Sequence, residues 1–309
     1  MKQKVTVRVP ATSSNLGSGF DALGLALSWH NRITVEVTGE PGAHPTINIE
    51  GEGADSLSRG ADNIAVEALV RGFSETATEL PALKLTLENS IPLRRGLGSS
   101  GSTRVGALKA ASTLLNDALS DETILQLATE LEGHPDNAAP ALHGGFIVAG
   151  QSKKREIFTN KLPIASAVHP IVLVPDLPVA TNDARSVLPH QVPHADAIFN
   201  VSRAALLVSS LMNGQLGHLH EDMADRLHQP YRTKLMPWLP DVIDAAMRAG
   251  ALGAYLSGAG SSVLALIEGT KLHDTVGGAM QKALADHGHG GFSRSVDIDF
   301  GGCIVEEIT

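Results

Sequence analysis

The stretch Pro92-Leu93-Arg94-Arg95-Gly96-Leu97-Gly98-Ser99-Ser100-Gly101-Ser102-Thr103 carries the strongest structural signal in the sequence. It follows an alternating segment, 83–87, that predicts a strand, and it leads into a predicted helix ending near residue 115. Glycines let a backbone approach a ligand closely, and a helix start adds free N–H donors and a positive dipole end. The pattern therefore favours a phosphate-binding loop, with an ordinary Gly/Ser helix cap as the alternative.

This loop nearly fits the P-loop of nucleotide-hydrolysing enzymes, because four residues separate Gly96 from Gly101. The lysine that should follow the second glycine is Ser102. Without that lysine the sequence argues against a P-loop enzyme and favours a phosphate loop of another family.

A second glycine-rich loop, Leu256-Ser257-Gly258-Ala259-Gly260-Ser261-Ser262, lies between two predicted strands. It fails as a dinucleotide fingerprint because Val263 takes the third glycine position and a strand follows. Taken alone, it is more typical of a tight turn than of a binding loop.

Two further segments concentrate polar chemistry. Glu130-Leu-Glu-Gly-His-Pro-Asp-Asn137 brings three carboxylates, an imidazole and an amide together at a predicted helix end. Carboxylates suit Mg²⁺, which usually takes one or two of them together with phosphate oxygens. Ala11 to Gly24 surrounds Asn15 and Asp21 with small residues, which could recognise an amino or hydroxyl group. The alternatives are a solvated helix end for the first segment and a plain connection for the second.

The chain length and the order of predicted strands and helices predict the domain organisation and the fold class. A length of 309 residues predicts about two domains, and the charged segment 151–163 is the predicted boundary, giving residues 1–155 and 156–309. Strands and helices are mixed without regular βαβ alternation, so an α+β fold is expected. A long helix is predicted at 194–213 and another at 216–227.

Composition restricts the possible partners. There are 24 basic residues against 33 acidic ones, a formal charge of −9, and no long basic run, which argues against nucleic-acid binding. A single cysteine, Cys303, excludes an internal disulfide. We expect no membrane span and no signal peptide, and hence a soluble cytoplasmic protein.

Taken together and in this order, the four segments resemble the GHMP kinase family, and within it the members that act on homoserine. The matching residues are Thr12 to Asp21, Pro92 to Ser102, Glu132 to Asn137 with Ala139-Pro140, and Ser257 to Ser261. The resemblance implies a two-domain fold, with an S5-like N-terminal domain, a ferredoxin-like C-terminal domain and an active site between them. It also implies a homodimer that uses ATP and Mg²⁺ to phosphorylate the homoserine hydroxyl in threonine biosynthesis. A kinase for another small hydroxylated acid, such as mevalonate, and a non-catalytic binding protein remain the alternatives.

The resemblance also assigns residues. Pro92, Arg94, Arg95, Gly96, Leu97, Gly98, Ser99, Ser100, Gly101 and Ser102 would wrap the ATP phosphates, with Gly258 and Gly260 in the second loop and Asn63 near the adenine. Ser100, or its neighbour Ser99, and Glu132 would hold Mg²⁺. Asn15, Asp21 and His134 would bind the amino and hydroxyl end of homoserine, and Arg185 and Arg232 its carboxylate.

Asn137 stands where many members of the family have an aspartate base. An amide cannot take a proton, so the resemblance predicts that Asn137 orients the substrate while phosphoryl transfer proceeds by alignment and charge neutralisation. Asp136 is the competing candidate for a base.

Overall fold

The structure is a computed structural model that describes residues 2–309, and it is built on two β-sheets. The strands are β1 Lys4–Ser14, β2 Leu23–Gly39, β3 Thr46–Gly51, β4 Ala82–Asn89, β5 Phe146–Gln151, β6 Ile157–Leu162, β7 Val168–Pro175, β8 Gly253–Leu256, β9 Val263–Glu268, β10 Gly291–Ser295 and β11 Ile304–Ile308. The helices are α1 Ile64–Glu75, α2 Ser99–Leu114, α3 Asp121–Glu132, α4 Pro135–His143, α5 Thr181–Ser186, α6 His194–Asn213, α7 Leu219–Asp222, α8 Gln229–Arg232, α9 Leu239–Arg248 and α10 His273–Asp286.

The first sheet has seven strands, in the order β11-β1-β2-β4-β3, with β5 paired to β2 and β6 paired to β5. Alternation in β1 turns Val5, Val7 and Val9 inward, and all three are fully buried with the apolar residues of helices α1 to α4. Gly106 of α2 lies against Ile33 and Val9, where an added Cβ would come within 2.7 Å of the Ile33 side chain. The small residue therefore lets α2, and the glycine loop before it, lie close to the sheet.

The second sheet is antiparallel, in the order β10-β7-β9-β8, and helices α9 and α10 pack on one of its faces. A separate apolar cluster joins the two sheets, because it includes Leu25 and Phe146 of the first with Val172 and Leu264 of the second. This shared cluster fixes the two halves of the chain against each other and so fixes the cleft between their loops.

The α+β expectation is confirmed, and several elements differ from the sequence prediction. The predicted helix 216–227 is wrong: a 3-10 turn at Leu216–His218 and the four-residue α7 occupy that segment. The segment 151–163 contains β6, and the C-terminal β11 pairs with β1 of the first sheet. The first sheet thus takes strands from beyond residue 155, and the domain boundary at that residue stays a prediction.

Helix α6, His194–Asn213, is long and apolar enough to cross a membrane by length and composition. This differs from the expectation that no segment would pass that test. A single such helix is weak evidence for a span, since helices of soluble proteins pass it too. Ile198, Val201, Leu206 and Met212 give α6 an exposed apolar face.

Candidate functional site

One cavity of about 460 Å³ collects most of the predicted site residues, which is the size usual for small-molecule sites. It lies where the loops after β1, β4 and β8 meet helices α3, α4, α5 and α8. Its wall includes Ser14, Asn15, Asp21, Asn63, Pro92, Leu93, Arg94, Arg95, Gly96, Leu97, Gly98, Ser99, Ser100, Glu132, His134, Asp136, Asn137, Arg185, Arg232 and Gly258.

The glycine loop before α2 is shaped by two close approaches of the backbone. Gly96 has φ +71°, and an added Cβ would lie 2.1 Å from the carbonyl oxygen of Ser257 in the second glycine loop. Gly98 has φ +65°, and a Cβ there would lie 1.8 Å from Thr12 Oγ1. The two glycine-rich loops therefore touch, and Ser257 Oγ donates to the Gly96 carbonyl at 2.6 Å.

Ser100 and Glu132 form the polar pair that the sequence assigned to a metal. Ser100 Oγ donates to Glu132 Oε2 at 3.0 Å, and the Glu132 side chain is only 8% exposed. Glu132 Oε1 is bonded by Arg104 Nη1, and Arg104 Nη2 also contacts Glu67 Oε2 at 3.2 Å. The Glu132 carboxylate is thus held in place by a guanidinium from α2.

His134, Asp136 and Asn137 form a second polar group at the start of α4. His134 Nδ1 lies 2.5 Å from Asp136 Oδ1. Burial alone would raise the pKa of Asp136, but the hydrogen bond and charge of His134 outweigh it and hold that pKa below its ordinary value. Burial alone would lower the pKa of His134, but the hydrogen bond to Asp136 and the charge of Asp136 outweigh burial and raise the pKa of His134. The two side chains form a charged pair, so Asp136 is a weak base.

Asn137 is fixed at both ends of its amide. Its Oδ1 accepts a hydrogen bond from Thr12 Oγ1 at 2.7 Å, and its Nδ2 donates to Ser14 Oγ at 3.1 Å. Both partners are on β1, so the amide is positioned by the strand that passes beneath the glycine loop.

Asp21 and Arg185 line the same cavity and form an ion pair there. Arg185 donates from both terminal nitrogens to Asp21, at 3.1 and 2.8 Å. Asn15 links this region to the second glycine loop, since it accepts from the Asp21 N–H and donates to the Gly258 carbonyl, both at 3.0 Å. Asn15 and Asp21 have φ values of +74° and +56°, a backbone conformation that often marks functional loops.

Arg232, on α8, lines the same cavity and is only 2% exposed. Burial, followed by repulsion from Arg185, lowers its pKa to about 10, so the guanidinium stays charged at neutral pH. Asp21, Arg185 and Arg232 thus line one cavity together.

Two residues that were predicted to bind the nucleotide, Asn63 and Arg95, make hydrogen bonds within the protein. Asn63 Oδ1 caps α1 by accepting from the Ala65 N–H, and its Nδ2 donates to the Ser58 carbonyl. The Arg95 guanidinium bonds the carbonyls of Leu93, Pro175 and Asp176, which ties the loop to the end of β7.

Three further assignments are not on the cavity wall. Ser102 is buried and donates to the Pro10 carbonyl at 2.5 Å, and Gly101 packs against Asn137. Gly260 lies against Met236. These residues shape the loops from behind, and their contact with nucleotide stays a prediction.

Sequence reasoning missed Arg104, Thr12, Ser14 and His228. Arg104 could have been found, because it follows Ser100 by four residues on a helix and therefore shares its face. Thr12 and Ser14 lie in a segment that the sequence leaves open between ligand recognition and a plain connection, and they received no role of their own. In the structure β1 runs through to Ser14, and both side chains bond Asn137. His228 gives no local signal, since its partners are distant in sequence or on the next helix turn.

Comparison with known proteins defines the class. The family model for the GHMP kinases N terminal domain matches residues 63–145, and that for GHMP kinases C terminal matches residues 207–286. The chain belongs to the GHMP kinase family, and it is accordingly a phosphotransferase of that two-domain fold.

Within the family, the chain is similar to several homoserine kinases. The chain is 40% identical over 284 residues to the homoserine kinase of Carboxydothermus hydrogenoformans, covering 92% of this chain and 91% of that protein. It is 44% identical over 266 residues to that of Leifsonia xyli, covering 85% and 81%. The crystal structure of homoserine kinase from Cytophaga hutchinsonii superposes with a TM-score of 0.89 at 28% identity, over 99% and 98% of the two chains. A mevalonate kinase structure, at 17% identity and a TM-score of 0.66, shares the fold.

Proposed function

We propose that this protein transfers the γ-phosphoryl group of ATP to the hydroxyl of L-homoserine, giving O-phospho-L-homoserine for threonine biosynthesis. The observation that carries the proposal is the Asp21–Arg185 pair, which lines the same cavity as Arg232 and the glycine loop. The names of the relatives point to the same substrate.

An α-amino acid carries an ammonium and a carboxylate on one carbon. Asp21 offers a carboxylate for the first, and Arg185 and Arg232 offer guanidinium groups for the second. Asp21 and Arg185 pair with each other, and an amino acid bound between them would replace that contact with two matching ones. Mevalonate has a carboxylate but no amine, so it would leave Asp21 without a cationic partner.

The loop from Pro92 to Ser100 would hold the phosphates, with the exposed Arg94 beside it on the cavity wall. Hydroxyl and carboxylate oxygens are ligands that Mg²⁺ accepts, so Ser100 and Glu132 fit the ion. No cluster of three or more His, Cys, Asp or Glu side chains able to hold a metal is found in residues 2–309. Phosphate oxygens would therefore complete the coordination, and the bound ion would neutralise charge on the transferring group.

The reaction then depends on alignment. Thr12 and Ser14 fix the Asn137 amide, which would orient the attacking hydroxyl towards the γ-phosphorus. The depressed pKa of Asp136 makes that residue a poor proton acceptor, which supports a mechanism with little early deprotonation.

An ADP-release assay on homoserine, serine and mevalonate tests the proposal. We expect turnover with homoserine, weaker turnover with serine because its hydroxyl sits one carbon closer to the α-carbon, and none with mevalonate. Preference for mevalonate would favour the alternative kinase. Absence of turnover on all three by a correctly folded protein would leave a binding function.

We also propose a cytoplasmic homodimer that uses the exposed face of α6. The exposed Ile198, Val201, Ala205 and Met212, with the partly buried Val208, follow one another at alternating spacings of three and four, as in a helix–helix seam. Light scattering should give the mass of two chains, and Val201→Glu should give one. A wild-type monomer, or an unchanged dimer in the variant, would contradict this assignment.

A further inference from the structure

His228 contacts Arg232 of the candidate substrate site but does not itself line the cavity. Its side chain is fully buried, and it precedes the short helix α8 that carries Arg232. Nothing in the proposed reaction uses this imidazole directly, so its contacts decide what it does.

The hydrogen bonds of His228 fix its tautomer. Arg232 Nη1 lies 3.0 Å from His228 Nδ1, and arginine has only donors, so Nδ1 accepts and carries no proton. The proton is therefore on Nε2, which donates to the Gly17 carbonyl at 2.8 Å. The neutral ring thus joins α8 to the loop between β1 and β2.

Asp225 is the nearest carboxylate, at 3.5 Å from Nε2, but its oxygens serve the backbone. They accept from the N–H groups of Leu227, His228 and Gln229 and from the Asn200 amide. Burial is the main cause that lowers the pKa of His228, and the charge of Arg232 lowers it further. The charges of Asp225 and Asp21 raise it, but the net result is a pKa of about 4. The ring stays neutral and keeps its acceptor nitrogen free for Arg232.

Arg232 uses three of its five N–H groups on the protein. Nε donates to the Ala184 carbonyl at 3.3 Å, and Nη1 donates to His228 and, at 2.7 Å, to the Gly258 carbonyl. The Phe20 ring stacks on His228 at 4.9 Å and lies 5.5 Å from the Arg232 guanidinium. These contacts fix the guanidinium plane and leave the two N–H groups of Nη2.

We propose that His228 is a positioning residue that sets how strongly the enzyme selects a substrate with an α-carboxylate. It holds Arg232 by accepting from Nη1, so that Nη2 is presented at a fixed angle to the carboxylate. This inference rests on the proposed role of Arg232 in carboxylate binding.

The test compares homoserine with 3-amino-1-propanol, which keeps the amine and hydroxyl but lacks the carboxylate. His228→Gln keeps a donor near the Nε2 position and loses the acceptor near Nδ1, whereas His228→Asn does the opposite. We expect His228→Gln to raise KM for homoserine at least tenfold, with kcat and the nucleotide KM within about threefold. We also expect the preference for homoserine over the analogue to fall at least tenfold in His228→Gln and less than threefold in His228→Asn.

Two control variants separate the outcomes. His287→Gln alters a partly exposed histidine that pairs with Asp241, and it should change neither constant. A His228→Gln variant that loses kcat/KM equally on both substrates, or keeps the wild-type preference, overturns the proposal. If His228→Gln does not fold, an unchanged KM but lowered preference in His228→Asn overturns it as well. Arg232→Met tests the underlying assignment, because an undiminished preference there would show that Arg232 does not bind the carboxylate.

Discussion

At the scale of single residues, the charged groups of the candidate site form pairs with one another. Asp21 pairs with Arg185, Asp136 with His134, and Glu132 with Arg104. A buried charge without a partner is costly, so these groups are held in pairs. Sequence reasoning named both members of the first two pairs but only Glu132 of the third. The spacing of Arg104 from Ser100 on α2 indicates a shared helix face, whereas its contact with Glu132 depends on how α2 and α3 pack.

Removing Arg104 tests whether this pairing matters. Arg104→Met should lower the free energy of unfolding by about 2 kcal/mol, because it leaves the nearly buried Glu132 without its cation. Arg71→Met is the matched control, since Arg71 also bridges two glutamates but is 38% exposed, and it should cost less than about 1 kcal/mol. Urea unfolding measures both, and equal losses would show that the Arg104 pair has no special role.

A second pair of variants tests the role of Asn137 against that of Asp136. Asn137→Ala removes the amide held by Thr12 and Ser14 and should lower kcat by about 100-fold through misalignment. Asp136→Asn should cost about tenfold or less in kcat, because its carboxylate is a weak base. Steady-state kinetics decide the matter: near-normal turnover in Asn137→Ala with none in Asp136→Asn would establish Asp136 as the base.

At the scale of elements, the sequence predicts helices whose apolar residues recur with a clear helical period. It does not predict elements whose start, end or shape depends on tertiary contacts. The helix 194–213 agrees with α6 end to end, since its apolar pattern is long and uninterrupted. Helix α4 was missed because it starts at Pro135 and contains Pro140, although proline is well tolerated in a first turn. The expected helix 216–227 fails because Asp222 and Asp225 turn inward and bond backbone and side-chain groups there.

The glycine loop before α2 gives a prediction at this scale. Gly98→Ala would put a Cβ 1.8 Å from Thr12 Oγ1 and 2.9 Å from Asn137 Oδ1, so it should displace both and lower kcat/KM more than 100-fold. Gly288→Ala has the same backbone strain, with φ +80°, but nothing within 4 Å. It should cost about 1 kcal/mol of stability and leave activity intact. Similar activity in the two variants would show that strain, and not the close approach, limits this position.

At the scale of the whole molecule, the site exists only because two sheets share one apolar cluster. The four motifs lie far apart in sequence, and their order suggested a cleft without showing which side chains meet in it. Asn15 bonds the Gly258 carbonyl across 243 residues, and β11 returns the C-terminus to the first sheet. Such contacts depend on the packing of both halves, which no local pattern contains.

Two histidines in this cleft should give the molecule opposite responses to pH. The pKa of His228 is lowered to about 4 from an ordinary 6.5, so the unfolded state binds the proton more readily and stability is lost as pH falls below 6.5. The partly buried His143, whose pKa is lowered first by desolvation, adds to this loss. The pKa of His134 is raised, so its contribution is complete below 6.5 and is lost as pH rises through its folded value. Stability should therefore be greatest near neutral pH.

The acid side of this profile can be assigned to His228. Between pH 7 and pH 5 its shift should lower the free energy of unfolding by about 2 kcal/mol, since each pKa unit corresponds to about 1.4 kcal/mol between the two states. His228→Asn removes the titrating group, so urea unfolding of that variant should lose about 2 kcal/mol less over the same interval, whatever its stability at pH 7. The His287→Gln variant should keep the wild-type slope. An unchanged slope in His228→Asn would mean that His228 has the same pKa in the folded and unfolded states. The folded ring would then be protonated below pH 6.5 and could not accept the hydrogen bond from Arg232 there.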